Sequence, residues 1–319
     1  MKSIKIKDIT IDTPIFLAPM AGITDYPFRA MVNSFGKCMM YSEMISSVAL
    51  TKSSDKSNKM SMINNDITGI QLAGSNIDIL KNAIDLAQEA GAVLVDINMG
   101  CPVKKVVNGI AGSALMKDEV LAGKIMEELV KYSKIPITLK MRLGWDSESI
   151  NAPQMAYIAE QSGIALVTIH GRTRQQFFNG IADWNAVSDV KEKVNIPVIV
   201  NGDIKSIDDI KLALKQSGAD GVMIARATYG KPWLISQLIN YFKHNETIKD
   251  LSNNEKLNTA LKHYDMLIDF YGKDTGLKIA RKHMSWYTKG LRNSSNLRAL
   301  LNVSEDITEV KDLVVKCFL

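Results

Sequence analysis

The chain has 319 residues, 46% of them apolar and 23% charged, the balance of a globular protein with one large domain or one large and one small. No apolar run is long enough to span a bilayer and none follows Met1-Lys2-Ser3, so neither a membrane span nor a secretory signal is expected. The three cysteines (Cys38, Cys101, Cys317) lie far apart without metal-ligand spacing, which argues against a zinc site or a disulfide framework and for a reducing cytosol.

The opening Ile4-Lys5-Ile6-Lys7 and Ile9-Thr10-Ile11 alternate with period two and predict a small hairpin. A βα rhythm follows. Ile15-Phe16-Leu17-Ala18 reads as a strand, and Thr24 or Asp25 is expected to cap a helix over 26–36 that takes Pro27 in its first turn. Further strands are expected at Met39–Glu43, Thr68–Leu72, Val93–Asn98, Ile137–Met141, Leu166–His170, Val198–Asn201 and Gly221–Ile224. Helical patterns lie at about 76–90, 118–133, 152–162, 183–193, 206–216 and 231–242, whereas Ser46 to Asn65 is polar and patternless. Ala90-Gly91, Ser162-Gly163 and Ser217-Gly218 each end a helix on glycine just before a strand. Eight βα units in about 240 residues match a TIM (β/α)8 barrel, with a doubly wound open sheet as the competitor. The rhythm stops after Phe242. The expected organisation is a barrel over 1–242, a polar linker over 243–253 and a small all-helical domain over 254–319, with helices at about 254–271, 275–289, 294–301 and 304–318.

In a parallel barrel the chemistry sits where the strands end. Val93 to Ile97 ends in Asn98-Met99-Gly100-Cys101-Pro102, where glycine and proline stop the strand and present Cys101 at its tip. A lone cysteine is otherwise most often a small buried hydrophobe. The other tips carry Pro19-Met20-Ala21-Gly22, Gln71, Lys140 and Arg142, His170, Asn201-Gly202-Asp203, and Ala225-Arg226. Glycine-bearing turns after the last two strands, with Arg226 nearby, suit a phosphate. A phosphate anchor, an amide for a polar ring edge and a lysine together point to FMN. No G-x-G-x-x-G follows a strand, so a Rossmann-type dinucleotide is not expected.

These motifs resemble the tRNA-dihydrouridine synthases. The resemblance is carried by Ala18-Pro19-Met20-Ala21-Gly22-Ile23-Thr24-Asp25, Asn98-Met99-Gly100-Cys101-Pro102 with Lys105, Leu139-Lys140-Met141-Arg142, His170-Gly171-Arg172-Thr173-Arg174, Asn201-Gly202-Asp203-Ile204 and Met223-Ile224-Ala225-Arg226. In the tail, Ala280-Arg281-Lys282-His283 with Trp286-Tyr287 is similar to the bacterial B type. The resemblance implies a TIM barrel carrying FMN, a helical C-terminal domain, and NADPH-driven reduction of uridine in tRNA. It implies that Pro19, Met20, Ala21, Gln71, Lys140, Asn201, Gly202, Asp203, Ala225 and Arg226 hold the flavin, with His170 close to flavin and substrate. Asn98 and Arg142 would face the uracil, and Cys101 would be the general acid. Ala225 departs from the family, standing where glycine is usual.

Basic residues in the tail suggest how a polyanion would be met. From Lys273 to Arg298 there are seven of them (Lys273, Lys278, Arg281, Lys282, Lys289, Arg292, Arg298) against one acidic residue, Asp274. On a helix, Lys278, Arg281, Lys282 and Lys289 span about 100° of arc, opposite Ala280, Met284, Tyr287 and Leu291. A solvated face normally mixes signs, so the stripe is expected to meet RNA, together with Lys105 and Arg174 at the barrel mouth. A cytoplasmic monomer is expected. Two other readings remain at this stage: an FMN-dependent enzyme acting on a free pyrimidine, and a catalytically silent RNA-binding protein.

Overall fold

Apolar runs bounded by glycine, proline and polar residues become strands buried on both faces, and in this computed structural model they close on themselves. It describes residues 1–52, 55–63, 67–246, 249–291, 294–301 and 303–319. The opening alternation forms an antiparallel hairpin of β1 (Ile4–Ile6) and β2 (Ile9–Ile11). The barrel strands are β3 (Ile15–Leu17), β4 (Met40–Ser46), β5 (Thr68–Ala73) and β6 (Leu94–Met99). They continue with β7 (Ile137–Arg142), β8 (Val167–His170), β9 (Val198–Asn201) and β10 (Gly221–Ile224). Neighbours are parallel throughout, and β10 pairs back onto β3 with Val222 opposite Ile15. That pairing makes the sheet a closed TIM barrel rather than an open doubly wound sheet.

The helices between strands follow the expected order: α1 (Tyr26–Phe35), α2 (Ser47–Thr51), α3 (Asp55–Ser61), α4 (Ile77–Glu89), α5 (Lys104–Val107), α6 (Glu119–Tyr132), α7 (Ala152–Gln161), α8 (Ser188–Lys193) and α9 (Ile207–Ser217). Asn76, Asp118 and Ser206 cap α4, α6 and α9 by accepting from a backbone N–H in the first turn. Gly91, Gly163 and Gly218 have the positive φ of a helix stop. Some details go beyond the sequence reading. The Thr24 hydroxyl, one of the two expected caps of α1, bonds the backbone N–H and C=O of Met20 and closes the turn after β3. The segment 183–193 is a 3-10 turn, Asn185–Val187, followed by the shorter α8. The patternless stretch holds α2 and α3, helices too short to show a period; its residues 53, 54, 64 and 65 lie outside those described.

The chain separates into two compact units. The first is Met1–Tyr26 with Lys37–Ala225, and the second is Pro27–Gly36 with Arg226–Leu319. The first holds the hairpin and the barrel. The second contains nearly all of α1 together with α10 (Leu234–His244), α11 (Asn253–Tyr271), α12 (Lys273–Tyr287), α13 (Ser294–Leu301) and α14 (Ile307–Phe318). Its core joins Trp233, Tyr264, Leu267, Met284, Tyr287, Leu301, Val310 and Val314, with Phe35 packed against it. The residue expected to end the barrel, Phe242, therefore lies within this unit, because Trp233 and Phe35 bury their rings on tail helices; they meet at 5.9 Å. Among the described residues no helix is long and apolar enough to cross a membrane.

Candidate active site at the barrel mouth

Strand register decides which side chains share a level. Asn98 on β6 aligns with Lys140 on β7, Arg142 on β7 with His170 on β8, and His170 with Asn201 on β9. Gln71 on β5 aligns with Asp96 on β6. Residues from five strands thus form one polar system at the carboxyl ends of strands whose buried side chains are mostly apolar.

Its centre is a chain of amides. Asp96 is fully buried, with one carboxylate oxygen accepting from Thr138 Oγ1 at 2.7 Å and the other from Gln71 Nε2 at 2.7 Å. Gln71 Oε1 accepts from Asn98 Nδ2 at 2.9 Å, and Asn98 Oδ1 accepts from the backbone N–H of Gly100 at 3.1 Å and of Cys101 at 2.8 Å. Burial pushes the Asp96 carboxyl up to about 6, against the pull of its hydrogen bonds and of Lys140.

Cys101 is half-buried at the end of this chain. Burial raises its thiol above the ordinary range, more than the Val103 N–H, Arg142 and Lys140 lower it. The neutral S–H is therefore the resting form. Its loop is pinned from below: Ser113 donates both N–H and Oγ–H to the Cys101 carbonyl. The adjoining Gly112 sits at φ +60, where a Cβ would come 2.8 Å from that same oxygen. Lys140 Nζ donates to Asn201 Oδ1 at 3.2 Å, and Asn201 Nδ2 donates to the Met223 carbonyl at 2.8 Å. Burial first, then the Arg142 charge, lower Lys140 to about 8, so it is mostly cationic at neutral pH.

Two buried arginines organise the rim. Arg142, 2% exposed, donates to the carbonyls of Gly100, Thr173 and Phe177. Burial, followed by Arg172, lowers it to about 10. Its guanidinium thus holds the loop after β8 through Nη1 and the Gly100 carbonyl through Nε. Arg172 donates to the Asn179 and Gly180 carbonyls and pairs with Asp203 at 2.5 Å. It also lies 3.3 Å from His170 Nε2. A guanidinium only donates, so a hydrogen bond here goes with the tautomer that carries the imidazole proton on Nδ1. Asp203 has φ +55 directly after Gly202 at φ +119, which turns the chain sharply at the end of β9.

The remaining expected residues fall as follows. Met20 is buried, Pro19 partly buried and Ala21 exposed in the turn after β3; Ala225 is half-buried after β10. Arg226 is exposed and opens the second unit. Lys105 is exposed on α5, and Arg174 lies over Trp145 at 4.5 Å and Phe177 at 5.3 Å. In the tail, Lys278 and Lys289 are exposed, Lys282 is half-buried, and Arg281 turns inward to the Ser304 carbonyl at 3.2 Å. Arg292 lies outside the described residues. Asp96, Thr138 and Glu43, which accepts from the Gly22 N–H, were not singled out from the sequence. For Asp96 the available signal was a carboxylate inside the apolar run Val93–Ile97.

The comparison with known proteins decides the family. The model of the family described as "Dihydrouridine synthase (Dus)" matches residues 16–319. The chain belongs to the dihydrouridine synthase family. It is 49% identical over 318 residues to the "Probable tRNA-dihydrouridine synthase" of Rickettsia bellii, covering 99% of this chain and 98% of that protein. It is 40% identical over 309 residues to the tRNA-dihydrouridine synthase B of Pseudomonas syringae, covering 96% and 91%. Membership in this synthase family makes the chain an oxidoreductase. Among solved structures, a variant of NCR from Zymomonas mobilis aligns with TM-score 0.53 at 14% identity, covering 78% of this chain and 92% of that one, a likeness of fold alone.

Proposed function

We propose that this dihydrouridine synthase reduces the C5=C6 bond of uridine in tRNA, with bound FMN and with NADPH as reductant. The observation that carries the reading is Cys101: a neutral, half-buried thiol on a pinned loop, at one mouth with Asn98 and Lys140.

The residues at the mouth fit a flavin. Lys140 has three N–H donors and a single side-chain acceptor in Asn201, and Gln71 keeps a second amide N–H. Such donors suit the carbonyl and nitrogen edge of an isoalloxazine ring. The turn at Gly202-Asp203 and the backbone at Ala225 would take the phosphate, and Pro19, Met20 and Ala21 would lie along the ring. When bound, FMN would supply hydride to C6 of the uracil, having been reduced by NADPH.

The chain's own side chains supply the rest. C5=C6 is conjugated to the C4 carbonyl, so addition at C6 leaves an enolate that needs a proton at C5. Cys101 donates it; a carboxylic acid of ordinary pKa would already be ionised, whereas a thiol raised by burial keeps its proton. Asn98 has one Nδ2–H committed to Gln71 and offers the other to a uracil carbonyl. Lys140 places positive charge where negative charge develops. His170 lines the same level. Arg142 acts by holding the Gly100 carbonyl and the 173–177 loop around the base.

The test is Cys101→Ala. Mass spectrometry should find FMN in the variant as in the wild type, and NADPH should still bleach the flavin, while dihydrouridine formation on unmodified tRNA falls at least a hundredfold. Wild-type turnover in the variant would remove Cys101 as the acid, and FAD as the main released flavin would remove the cofactor assignment.

A further inference from the structure

The hydrogen-bond chain beneath Cys101 has a direction as well as members. The N–H groups of Gly100 and Cys101 can only donate, so Asn98 must turn Oδ1 to them and Nδ2 to Gln71. Gln71 must then turn Oε1 to Asn98 and Nε2 away from it, toward Asp96. An ionised carboxylate can only accept, which admits this sense and no other. Thr138 closes the other oxygen. Both ends of the chain therefore impose the same pair of amide orientations.

We infer that Asp96 is a positioning residue: its carboxylate sets the donor–acceptor sense of Gln71 and Asn98, and through them the placement of the Cys101 loop. The inference deepens the proposed function and rests on it for the consequence in catalysis. Asp96 touches neither the thiol nor the base. It enforces from the far end the sense the loop amides require, so that the free donor of Asn98 is an N–H and its oxygen stays on the loop.

Protonation removes that constraint, because a carboxylic acid can donate as well as accept. Gln71 reversed toward a protonated Asp96 would set its Nε2 against Asn98 Nδ2, and Asn98 would have to leave the loop amides. The charged and titratable groups facing Asp96 are Lys140 on β7, which favours the carboxylate, and Tyr41 on β4, whose phenol burial and the Asp96 charge both keep protonated. Burial outweighs the favourable partners and lifts Asp96 to about 6, so the change falls in mildly acid solution.

The experiment reads the loop directly. The flavin-loaded protein is reacted with 2,2′-dipyridyl disulfide, which thiols attack even in acid with release of 2-thiopyridone, and Cys101 is assigned by peptide mass spectrometry against the buried Cys38 and Cys317. Superimposed on the rise in thiolate with pH, the wild-type Cys101 rate should carry a step near pH 6 of threefold or more. Asp96→Asn should follow the wild-type acid branch between pH 5 and 7.5 without the step, with about tenfold slower dihydrouridine formation at pH 7.5. Thr138→Val removes one donor from the carboxylate and should move the step to higher pH. An unchanged step in Asp96→Asn, or wild-type Cys101 reactivity in it at pH 7.5, would overturn the inference. Should Asp96→Asn not fold, a Thr138→Val step that stays put overturns it equally. A wild-type protein that makes no dihydrouridine sinks the proposed function, while the thiol profiles still judge Asp96.

Discussion

Gly112 shows how narrowly the position of one reactive atom is held. Its φ of +60 belongs to the left-handed region, and a Cβ there would come 2.8 Å from the Cys101 carbonyl oxygen and 3.1 Å from the Cys101 Cβ. Those are backbone and near-backbone atoms, which yield far less easily than the end of a long side chain. Gly112→Ala should cost about 1–3 kcal/mol of barrel stability, the range for a residue forced into an unfavourable backbone region. Its larger effect should be on chemistry, because the loop must move where Ser113 now ties it. Flavin content should persist, and single-turnover uridine reduction should slow at least tenfold. A variant with wild-type turnover would mean that the loop tolerates displacement of Cys101.

At the scale of an element, α12 separates two roles that composition alone merges. Ala280, His283, Met284 and Tyr287 are buried on one side, while Lys278 is exposed; Lys289 is exposed just past the helix end. Arg281, expected in the same stripe, spends a guanidinium nitrogen on the Ser304 carbonyl and so ties α12 to the chain before α14. The exposed cations of the expected stripe are Lys278 and Lys289. The double change Lys278→Glu and Lys289→Glu leaves the buried side untouched, and folding should survive. Binding of tRNA should weaken, and its log–log salt slope should flatten by roughly 0.7–0.9 per lost phosphate contact. NADPH oxidation with a small acceptor should not change. Unaltered affinity and slope in the folded variant would assign RNA binding elsewhere, with Lys105 and Arg174 as the next residues to change.

At the scale of the whole molecule, acid should act on the helical unit through two histidines. His263 and His283 are fully buried, 4.7 Å apart edge to face, among Phe28, Trp286 and Tyr287. Burial, then Lys282, drives His263 down to about 3; burial, then His263 and Lys282, drives His283 well below the ordinary value. Both stay neutral in the folded chain, whereas an unfolded histidine takes a proton below about 6.5. The unfolded state thus binds more protons as pH falls. Stability is full above 6.5 and is lost below it, approaching roughly 2.7 kcal/mol per pH unit for the pair until His263 itself titrates. Denaturant unfolding of the helical unit at pH 7, 6 and 5 should reveal that slope. His283→Phe, apolar among aromatic neighbours, should halve it; an unchanged slope would mean the pair does not control acid sensitivity.

Much of this protein is legible before folding. Eight apolar runs, most of them separated by helical periods with glycine at helix ends, mark a parallel α/β sheet of barrel size, because parallel strands buried on both faces need helices to cover them; the pairing of β10 with β3 then closes it. The strand ends then name Gln71, Asn98, Cys101, Lys140, His170 and Asn201, since position in such a barrel implies exposure to the mouth. Contacts between distant residues are a different matter. That Arg142 serves three loop carbonyls, that Asp96 closes the amide chain to Cys101, and that α1 and Trp233 belong with the tail helices each depend on residues tens to hundreds of positions apart. Local pattern can place a side chain on a face. Which partner satisfies it is decided by register across the closed sheet and by packing between helices, because a buried polar group takes whatever acceptor or donor the tertiary structure brings within 3 Å.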